Sequence, residues 1–381
     1  MVLTMDRQRD ALHFPRPALA TQILDGFERG LSYASTIFAP RRKGKTQFLQ
    51  FDLIPEARER GYLVAYCDLW SDKDHPEGVI ASALAESIGD AGLLRRVRAR
   101  MFMPRRRLKK IELRAGADGA GAGVEFEHGP DIMLEELFDQ FKRLADGKGL
   151  LVIDEIQHLA SRRSFENFTA KLRSLLDRSR GEVWSVFTGS SQGGLTALFG
   201  RTKAPFFQFS SRVEFPNLGA ELVQHFAERF HEITGGEWPV REVLDLYRRR
   251  GQSPLYLRSL LERCILAQES PEEADRFVWS GIVDQAGYPA LLEGLSPLER
   301  LVLRQILLEK PLYSEESLEE MSERLGSPVD VPRVQTALRR FEGARLSLVG
   351  RVGHAEPRIE DDMFRAWLME MEKGESGDHQ S

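Results

Sequence analysis

The chain has 381 residues, 42% of them hydrophobic and 29% charged, with a formal net charge of -5. That length gives room for two or three domains and fits a soluble globular protein, and no apolar run approaches the ~20 residues a bilayer span requires. A net acidic chain is not a generic polyanion binder, so any nucleic-acid contact has to come from local patches.

Met1 to Pro15 lacks the apolar core of a signal peptide. Tyr33 to Phe38 is an apolar, β-rich run, and a helical pattern follows from Gln47 to Arg60. Between them lies Ala39-Pro40-Arg41-Arg42-Lys43-Gly44-Lys45-Thr46. Strand, loop and helix in that order suit a phosphate-binding loop. Backbone N–H groups from Ala39 to Gln47 would cradle phosphates, Lys45 would reach the β/γ-phosphates, and Thr46 would offer its hydroxyl to Mg2+. Ala39 departs from the usual pattern, which has a glycine there.

Val64 to Leu69, Leu150 to Ile153, Val183 to Thr188 and Arg212 to Phe215 read as four further strands. Helical patterns at 78–88, 131–145 and 165–179 separate them. Near-continuous apolar strands alternating with helices indicate an α/β core with a parallel sheet covered on both faces. Ligands in such sheets bind at the carboxyl ends of the strands. Cys67 and Cys264 fall in apolar-periodic segments and read as buried free thiols, which suits a reducing cytoplasm. Arg95 to Arg114 carries ten Lys/Arg and a single Glu. With the glycine-rich stretch Gly116 to Gly123 it reads as an insert over 95–128, a β-hairpin or a flexible flap.

Pro216-Asn217 marks a boundary at the end of the core, residues 1–217. Helices at 219–234, 239–250, 254–268 and 271–286 make a small all-α domain over 218–290. A third unit, 291–372, has helices at 297–309, 315–325 and 332–343, the first starting with Ser296 as N-cap and Pro297 at N1. Short strands at 346–349 and 357–359 complete a winged helix-turn-helix pattern. The tail, 373–381, is polar and expected to be disordered.

Three more motifs carry chemistry. Leu150-Leu151-Val152-Ile153-Asp154-Glu155 ends a strand in two carboxylates. Asp154 suits Mg2+ and Glu155 suits polarising an attacking water, although a strand-end Asp also occurs without such roles. Val186-Phe187-Thr188-Gly189-Ser190-Ser191 ends another strand in hydroxyls. Thr188 or Ser190 could sense a γ-phosphate there, or the segment is an ordinary turn. Gly251-Gln252-Ser253-Pro254 brackets a helix start that either approaches the nucleotide or simply caps the helix.

Taken together, Ala39–Thr46, Leu151–Glu155, Phe187–Ser191 and Gly251–Leu257 resemble the AAA+/STAND P-loop ATPases. The branch they resemble is the archaeal-type ATPases related to the Orc1/Cdc6 initiators. Arg358 to Trp367 resembles the end of the winged-helix unit in that branch, and Phe14-Pro15-Arg16 the segment beside the adenine. The resemblance implies a P-loop NTPase core followed by an α-helical lid and a C-terminal winged helix, with ATP and Mg2+ bound between core and lid. It implies phosphate and Mg2+ binding by Lys45 and Thr46, Mg2+ binding by Asp154, catalysis by Glu155, sensing by Ser190 and nucleotide contact from Pro254. Arg201 and Arg212 are the candidates for an arginine finger.

The helix at 332–343 would turn Arg333, Gln335, Thr336, Arg339 and Arg340 away from its apolar face, as a recognition helix does toward a major groove. Arg345 and Arg351 could touch phosphates from the wing. An acidic helix containing Glu315, Glu316, Glu319, Glu320 and Glu323 comes just before, and winged helices also dock proteins. Arg105-Arg106-Arg107 is a second candidate contact with a phosphate backbone or an acidic partner. The expected function is a cytoplasmic ATPase, slow in turnover, switching by domain closure and binding or assembling on double-stranded DNA. The alternative is an ATP-regulated signalling scaffold whose winged helix docks proteins. Self-association is possible under either reading, and no membrane partner is expected.

Overall fold

Parallel strands buried on both faces carry apolar residues on both, and the first half of the chain is built that way. A computed structural model describes residues 10–102, 130–200, 202–342, 348–350 and 356–377. The chain runs through α1 (Pro17–Glu28), β1 (Ala34–Phe38), α2 (Lys45–Phe48), a π-helical turn (Leu49–Leu53) and α3 (Ile54–Glu59). Next come β2 (Leu63–Asp68), α4 (Pro76–Phe102), α5 (Pro130–Ala145), β3 (Gly149–Asp154) and α6 (Glu166–Arg178). β4 (Val183–Gly189), α7 (Gln192–Leu195) and β5 (Ser211–Glu214) complete this half.

The five strands form one parallel sheet in the order β2-β3-β4-β1-β5. Side chains alternate along each strand, so the sheet feeds two cores. Leu150, Val152, Val186 and Ile37 pack with α1 and the helix after β1, against Phe27, Phe48 and Leu53. Leu151, Ile153 and Phe187 point the other way and pack with Leu84, Phe138 and Leu172. Because β1, β4 and β3 are parallel neighbours, the loops after all three strands open side by side on one edge of the sheet.

The second half is helical. It comprises α8 (Ala220–Thr234), α9 (Val240–Arg249), α10 (Pro254–Ala267), α11 (Pro271–Ala286) and α12 (Tyr288–Glu293). Then follow α13 (Pro297–Leu307), α14 (Glu315–Leu325), α15 (Val331–Glu342), β6 (Val349–Gly350), β7 (Arg358–Ile359) and α16 (Asp362–Gly377). Ser270 and Ser296 start α11 and α13 with reciprocal capping boxes to Glu273 and Glu299, each followed by proline. β6 and β7 pair antiparallel, Val349 with Ile359 and Gly350 with Arg358. Apolar residues from Leu218 to Leu368 form one continuous core, so α8–α12 and α13–α16 are packed together.

Several expectations change. The helix after β2 runs on to Phe102, so residues 95–102 are helical where a hairpin or flap was expected; the rest of that insert lies outside the described residues. The pattern after the phosphate loop is one helical path broken by the π turn at Leu49–Leu53. The tail expected to be disordered from residue 373 is helical through Gly377. Among the described residues no helix is long and apolar enough to cross a membrane.

A buried charge network braces the helical half beside the seam with the core. The Arg250 guanidinium donates to both oxygens of Asp275, at 3.0 and 2.7 Å, and lies 4.5 Å above the Trp279 ring. Tyr256 Oη donates to Asp275 Oδ1 at 2.6 Å, and burial raises its pKa well above that of free tyrosine. Asp275 and Arg250 side chains are 7% and 11% exposed. Removing one partner leaves the other charge buried and uncompensated. Asp275→Ala is therefore expected to lower unfolding free energy by ~3–5 kcal/mol in a denaturant titration, with Asp275→Asn costing less.

Candidate functional site

β1 ends at Phe38, and the Ala39 N–H donates to Gly189 O at 3.3 Å. Left-handed backbone in the loop falls at Arg42 (φ 64°) and Gly44 (φ 86°), not at Ala39. Only a position with φ in that range favours glycine, so an alanine fits at 39 and Gly44 is the residue the turn requires. Lys45 opens α2 with its side chain buried, and Nζ donates to Ala39 O at 2.6 Å and Pro40 O at 2.9 Å. Burial pulls its pKa below the usual lysine value, while the carboxylates of Glu155 and Asp154 oppose that shift.

Asp154, at the end of β3, is 1% exposed and fully engaged. Thr46 Oγ1 donates to its Oδ2 at 2.7 Å, Thr188 Oγ1 donates to Oδ1, and the Glu155 N–H donates to Oδ1 at 3.1 Å. A hydroxyl from the loop helix and one from β4 thus meet on one carboxylate. Glu155 itself sits in left-handed backbone, φ 58°, which sparsely populated conformation turns its side chain off the strand direction. Ser190 Oγ donates to Glu155 Oε2 at 2.7 Å, and Gln157 Nε2 donates to the same oxygen. Gln157 Nε2 also lies 3.3 Å from Ser190 Oγ, which closes a small triangle. Glu155 Oε1 is left for another donor.

Lys45, Thr46 and Glu155 face a cavity of about 380 Å3 between the sheet edge and the helical half. Arg41 to Phe48 and Glu155 line one end. Leu12, Phe14, Leu218, Leu222 and Phe226 line the apolar other end, and Pro254 and Arg258 reach in from α10. Arg16 closes the floor. It donates to Lys43 O at 3.1 Å, stacks over Phe215 at 3.9 Å, and burial pulls its pKa down to about 10. Asp10 bridges the walls, accepting from Gln47 Nε2 at 3.1 Å and pairing with Arg258. One end offers donors and an ammonium, the other apolar surface, and the volume lies in the range of small-molecule sites.

The loop also reaches out of the cavity. Lys43, 4% exposed, donates from Nζ to Gly251 O at 3.0 Å and Gln252 O at 3.1 Å, and pairs with Asp362 Oδ2 at 2.7 Å. Arg42 donates to Tyr288 Oη at 3.0 Å, and Tyr288 donates to Asp361 Oδ2 at 3.0 Å. Glu360 Oε1 accepts from the N–H groups of Gln192 and Gly193 at 2.8 and 3.3 Å. Three consecutive carboxylates before and at the start of α16 are thus each spent on the seam. Gly251 has φ 76°, and a Cβ there would come within 2.5 Å of Asp362 O, so this junction admits no other residue.

Two solved archaeal structures match the chain almost end to end. The Walker-type ATPase of Pyrococcus abyssi superimposes with TM-score 0.64 at 15% identity, over 94% of this chain and 96% of that one. The ORC2 protein of Aeropyrum pernix, solved as ADPNP–ADP complexes, gives TM-score 0.58 at 16% identity, over 96% of each chain. The chain has the fold of a Walker-type ATPase. No protein-family model matches the sequence, and no curated protein matches it. The likeness lies in the fold: a five-stranded parallel sheet with its loop-bearing edge facing a helical half, as in an α/β P-loop core.

Within this Walker-type fold the sequence-derived residues separate into two groups. Residues 41–47, Glu155 and Pro254 line the cavity, Asp154 and Ser190 are bonded to Thr46 and Glu155 at its wall, and Ala39 and Pro40 accept from Lys45 behind it. Arg212 does not: it is exposed on β5, its guanidinium 5.9 Å from the Phe38 ring, and it does not line the cavity. Arg201, Arg105, Arg106, Arg107, Arg345 and Arg351 lie outside the described residues. On α15, Arg340 is bound to the buried Glu299 at 2.6 and 2.8 Å, and Arg333 folds back on Pro328 O. Arg339 lines a shallow cleft with Tyr313 and Gln335.

Sequence reasoning missed Gln157, Asp10 and Arg258. Arg258 follows Pro254 by one helical turn, so that spacing was available as a signal; nothing local marks Gln157 or Asp10. Gln157 is held in place by Gly189, where a Cβ would fall 2.7 Å from Gln157 Oε1 and 2.8 Å from Leu195 Cδ2. Gly189→Ala is expected to push Gln157 off Glu155 and to cost about 1–3 kcal/mol by overpacking. A denaturant melt reads the cost, and an unchanged midpoint would show that the pocket yields freely.

Proposed function

We propose that this chain is an ATP-binding and ATP-hydrolysing switch of the AAA+/STAND class. The observation that carries the reading is that one cavity is walled by the Arg41–Gln47 loop, Lys45, Thr46 and an oriented Glu155, with an apolar end for the base. The Gly44 turn and the N–H groups that follow it suit the phosphates, and Lys45 can exchange its bonds to Ala39 O and Pro40 O for phosphate oxygens. The donor set also suits Mg2+, since Thr46 already shares its hydroxyl with Asp154 beside the loop. Bound there, Mg2+ would supply positive charge against the phosphate oxygens.

Glu155 is the group that handles the water. Ser190 and Gln157 both donate to Oε2, which fixes the carboxylate and leaves Oε1 to accept a proton from the attacking water. Ser190 is thereby a positioning residue, since it acts through Glu155. Leu12, Phe14, Leu222 and Phe226 exclude solvent around the base. Lys43 and Arg42 tie the loop to α10, α12 and α16, so a change at the phosphates is passed to the helical half, the two-state element that a switch needs. Glu155→Gln is expected to retain ATP while phosphate release falls by ~100-fold or more. Lys45→Ala is expected to lose ATP affinity in the same binding assay. Release at the wild-type rate from Glu155→Gln would remove Glu155 from the reaction.

The output surface is the unit α13–α15 with β6 and β7, which we read as a winged helix that binds duplex DNA through α15. A second reading, a protein-docking module, is favoured by one observation: Arg340 and Arg333 are committed to Glu299 and Pro328 within the unit, leaving Arg339 exposed. Under the DNA reading, duplex affinity falls steeply with salt, and Arg339→Glu lowers it by tenfold or more, ~1–3 kcal/mol. Fluorescence anisotropy with labelled duplex checks both. Affinity that ignores salt and Arg339→Glu assigns the surface to a protein partner.

A further inference from the structure

A second cavity, about 650 Å3, opens on the far side of the Lys43 contacts, between the C-terminal turn of α9 and the outer face of α16. Its charged lining is strongly basic: Arg248, Arg249 and Arg250 from the end of α9, Arg365 and Lys373 from α16. Two acids, Asp362 and Glu370, face the same space, and both are already occupied. Asp362 holds Lys43 at 2.7 Å, and Glu370 holds Arg250 at 2.7 Å and the Trp279 ring N–H at 2.8 Å. Arg250 is shared between Asp275 and Glu370, so this cluster leaves one acid charge to set against the remaining cations.

That leaves four further cations against one acid charge, an excess of positive charge. Arg248 reaches Asp245 only at 3.9 Å, and Arg365 pairs with Glu309 across exposed surface, where such a bond is worth little. Arg249 and Lys373 have no ion-pair partner among the described residues. The end of α9 favours basic residues through its dipole, which accounts for Arg248 and Arg249 but not for Arg365 and Lys373 on a separate helix facing them. A concave wall with an excess of one sign of charge focuses field and concentrates counter-ions. Guanidinium forks match phosphate oxygens in pairs. Ala366 and Met369 add an apolar patch to the wall.

We propose that this cavity binds a small ligand carrying two or more phosphate groups, distinct from the nucleotide in the loop cavity. Its volume lies in the range of small-molecule sites, which favours a small ligand over a nucleic-acid strand. Gly251, Gln252 and Asp362 line this cavity and are also the three residues that hold Lys43. A ligand here therefore acts on the phosphate loop from behind, a consequence that rests on the nucleotide reading above, whereas binding itself does not.

The test uses the full chain and inorganic pyrophosphate. Calorimetric titration of Lys45→Ala, and separately of wild type saturated with a non-hydrolysable ATP analogue, is expected to show one pyrophosphate site. Arg249→Glu with Lys373→Glu, both exposed and outside the nucleotide cavity, is expected to weaken that site by at least ~tenfold, the effect of losing a charged hydrogen bond. Pyrophosphate is also expected to change the dissociation rate of a prebound fluorescent ATP analogue in wild type but not in the double variant; a competitor for the same site leaves that rate unchanged. Loss of nucleotide binding alone would strike the loop reading and leave this one standing. Pyrophosphate binding that is absent from both loop-blocked samples, or indifferent to the double variant, overturns the proposal. So does an oligonucleotide that binds these residues where pyrophosphate does not, which would assign the patch to nucleic acid.

Discussion

An ammonium that is 4% exposed has to be surrounded by acceptors, and that requirement at Lys43 organises the molecule. The loop that carries it supplies none of the three. Two are main-chain carbonyls at the start of α10 and one is the first carboxylate of α16. The partners are more than 200 residues away in sequence, so the sheet edge and the helical half can form this contact only when docked in one arrangement. Gly251 enforces it, because its backbone lies against that of Asp362 with no space for a side chain. The loop cavity exists because of that docking: its apolar end is lined by α8 and by residues 12–14, its polar end by the loop.

The same seam explains why polar groups at the strand ends can be so fully engaged. Asp154 takes hydroxyls from α2 and β4, and Glu155 takes donors from the segment after β4 and from its own strand-end turn. The strand order makes this possible, since β4 is inserted between the loop-bearing strand and the strand that ends in the acids. A sheet with β1 beside β3 would bring the loop and the acids together but would place no hydroxyl between them. The short triangle of Glu155, Gln157 and Ser190 is therefore a product of topology rather than of any one motif.

That distinction marks what could be read from the sequence. Strands β2, β3 and β4 were legible because each is a short apolar run that reaches a polar residue, Asp68, Asp154 or Thr188, and the loop was legible because Gly44-Lys45-Thr46 sits where strand gives way to helix. Even the Ala39 departure is harmless once it is clear that the left-handed turn is taken at residues 42 and 44. Gln157 gave no signal, since its role depends on a glycine one strand away leaving it space. Lys43 was placed in the loop but its destination was hidden, because charge and burial are set by the tertiary approach of α16. The run of helix to Phe102 was missed for a local reason: the dense basic charge suggested a projecting insert, while the backbone simply continues the helix after β2.

The distribution of arginine across the helical half bears on the switch proposed above. On α15, the helix proposed to meet DNA, two of three arginines are consumed by internal acceptors. On α9 and α16, whose positions are fixed by the Lys43 contacts, the arginines and a lysine remain largely unbalanced. Positive charge left unneutralised repels itself and weakens the packing of the two helices that bear it. The proposed anion would remove that repulsion and favour the close approach of α9 and α16. Asp362 lies on α16 and grips Lys43, so the spacing of these helices and the posture of the loop are coupled through one ion pair. By linkage such a coupling would run in both directions, so that whatever strengthens the Lys43 contact would also favour the anion proposed for the second cavity.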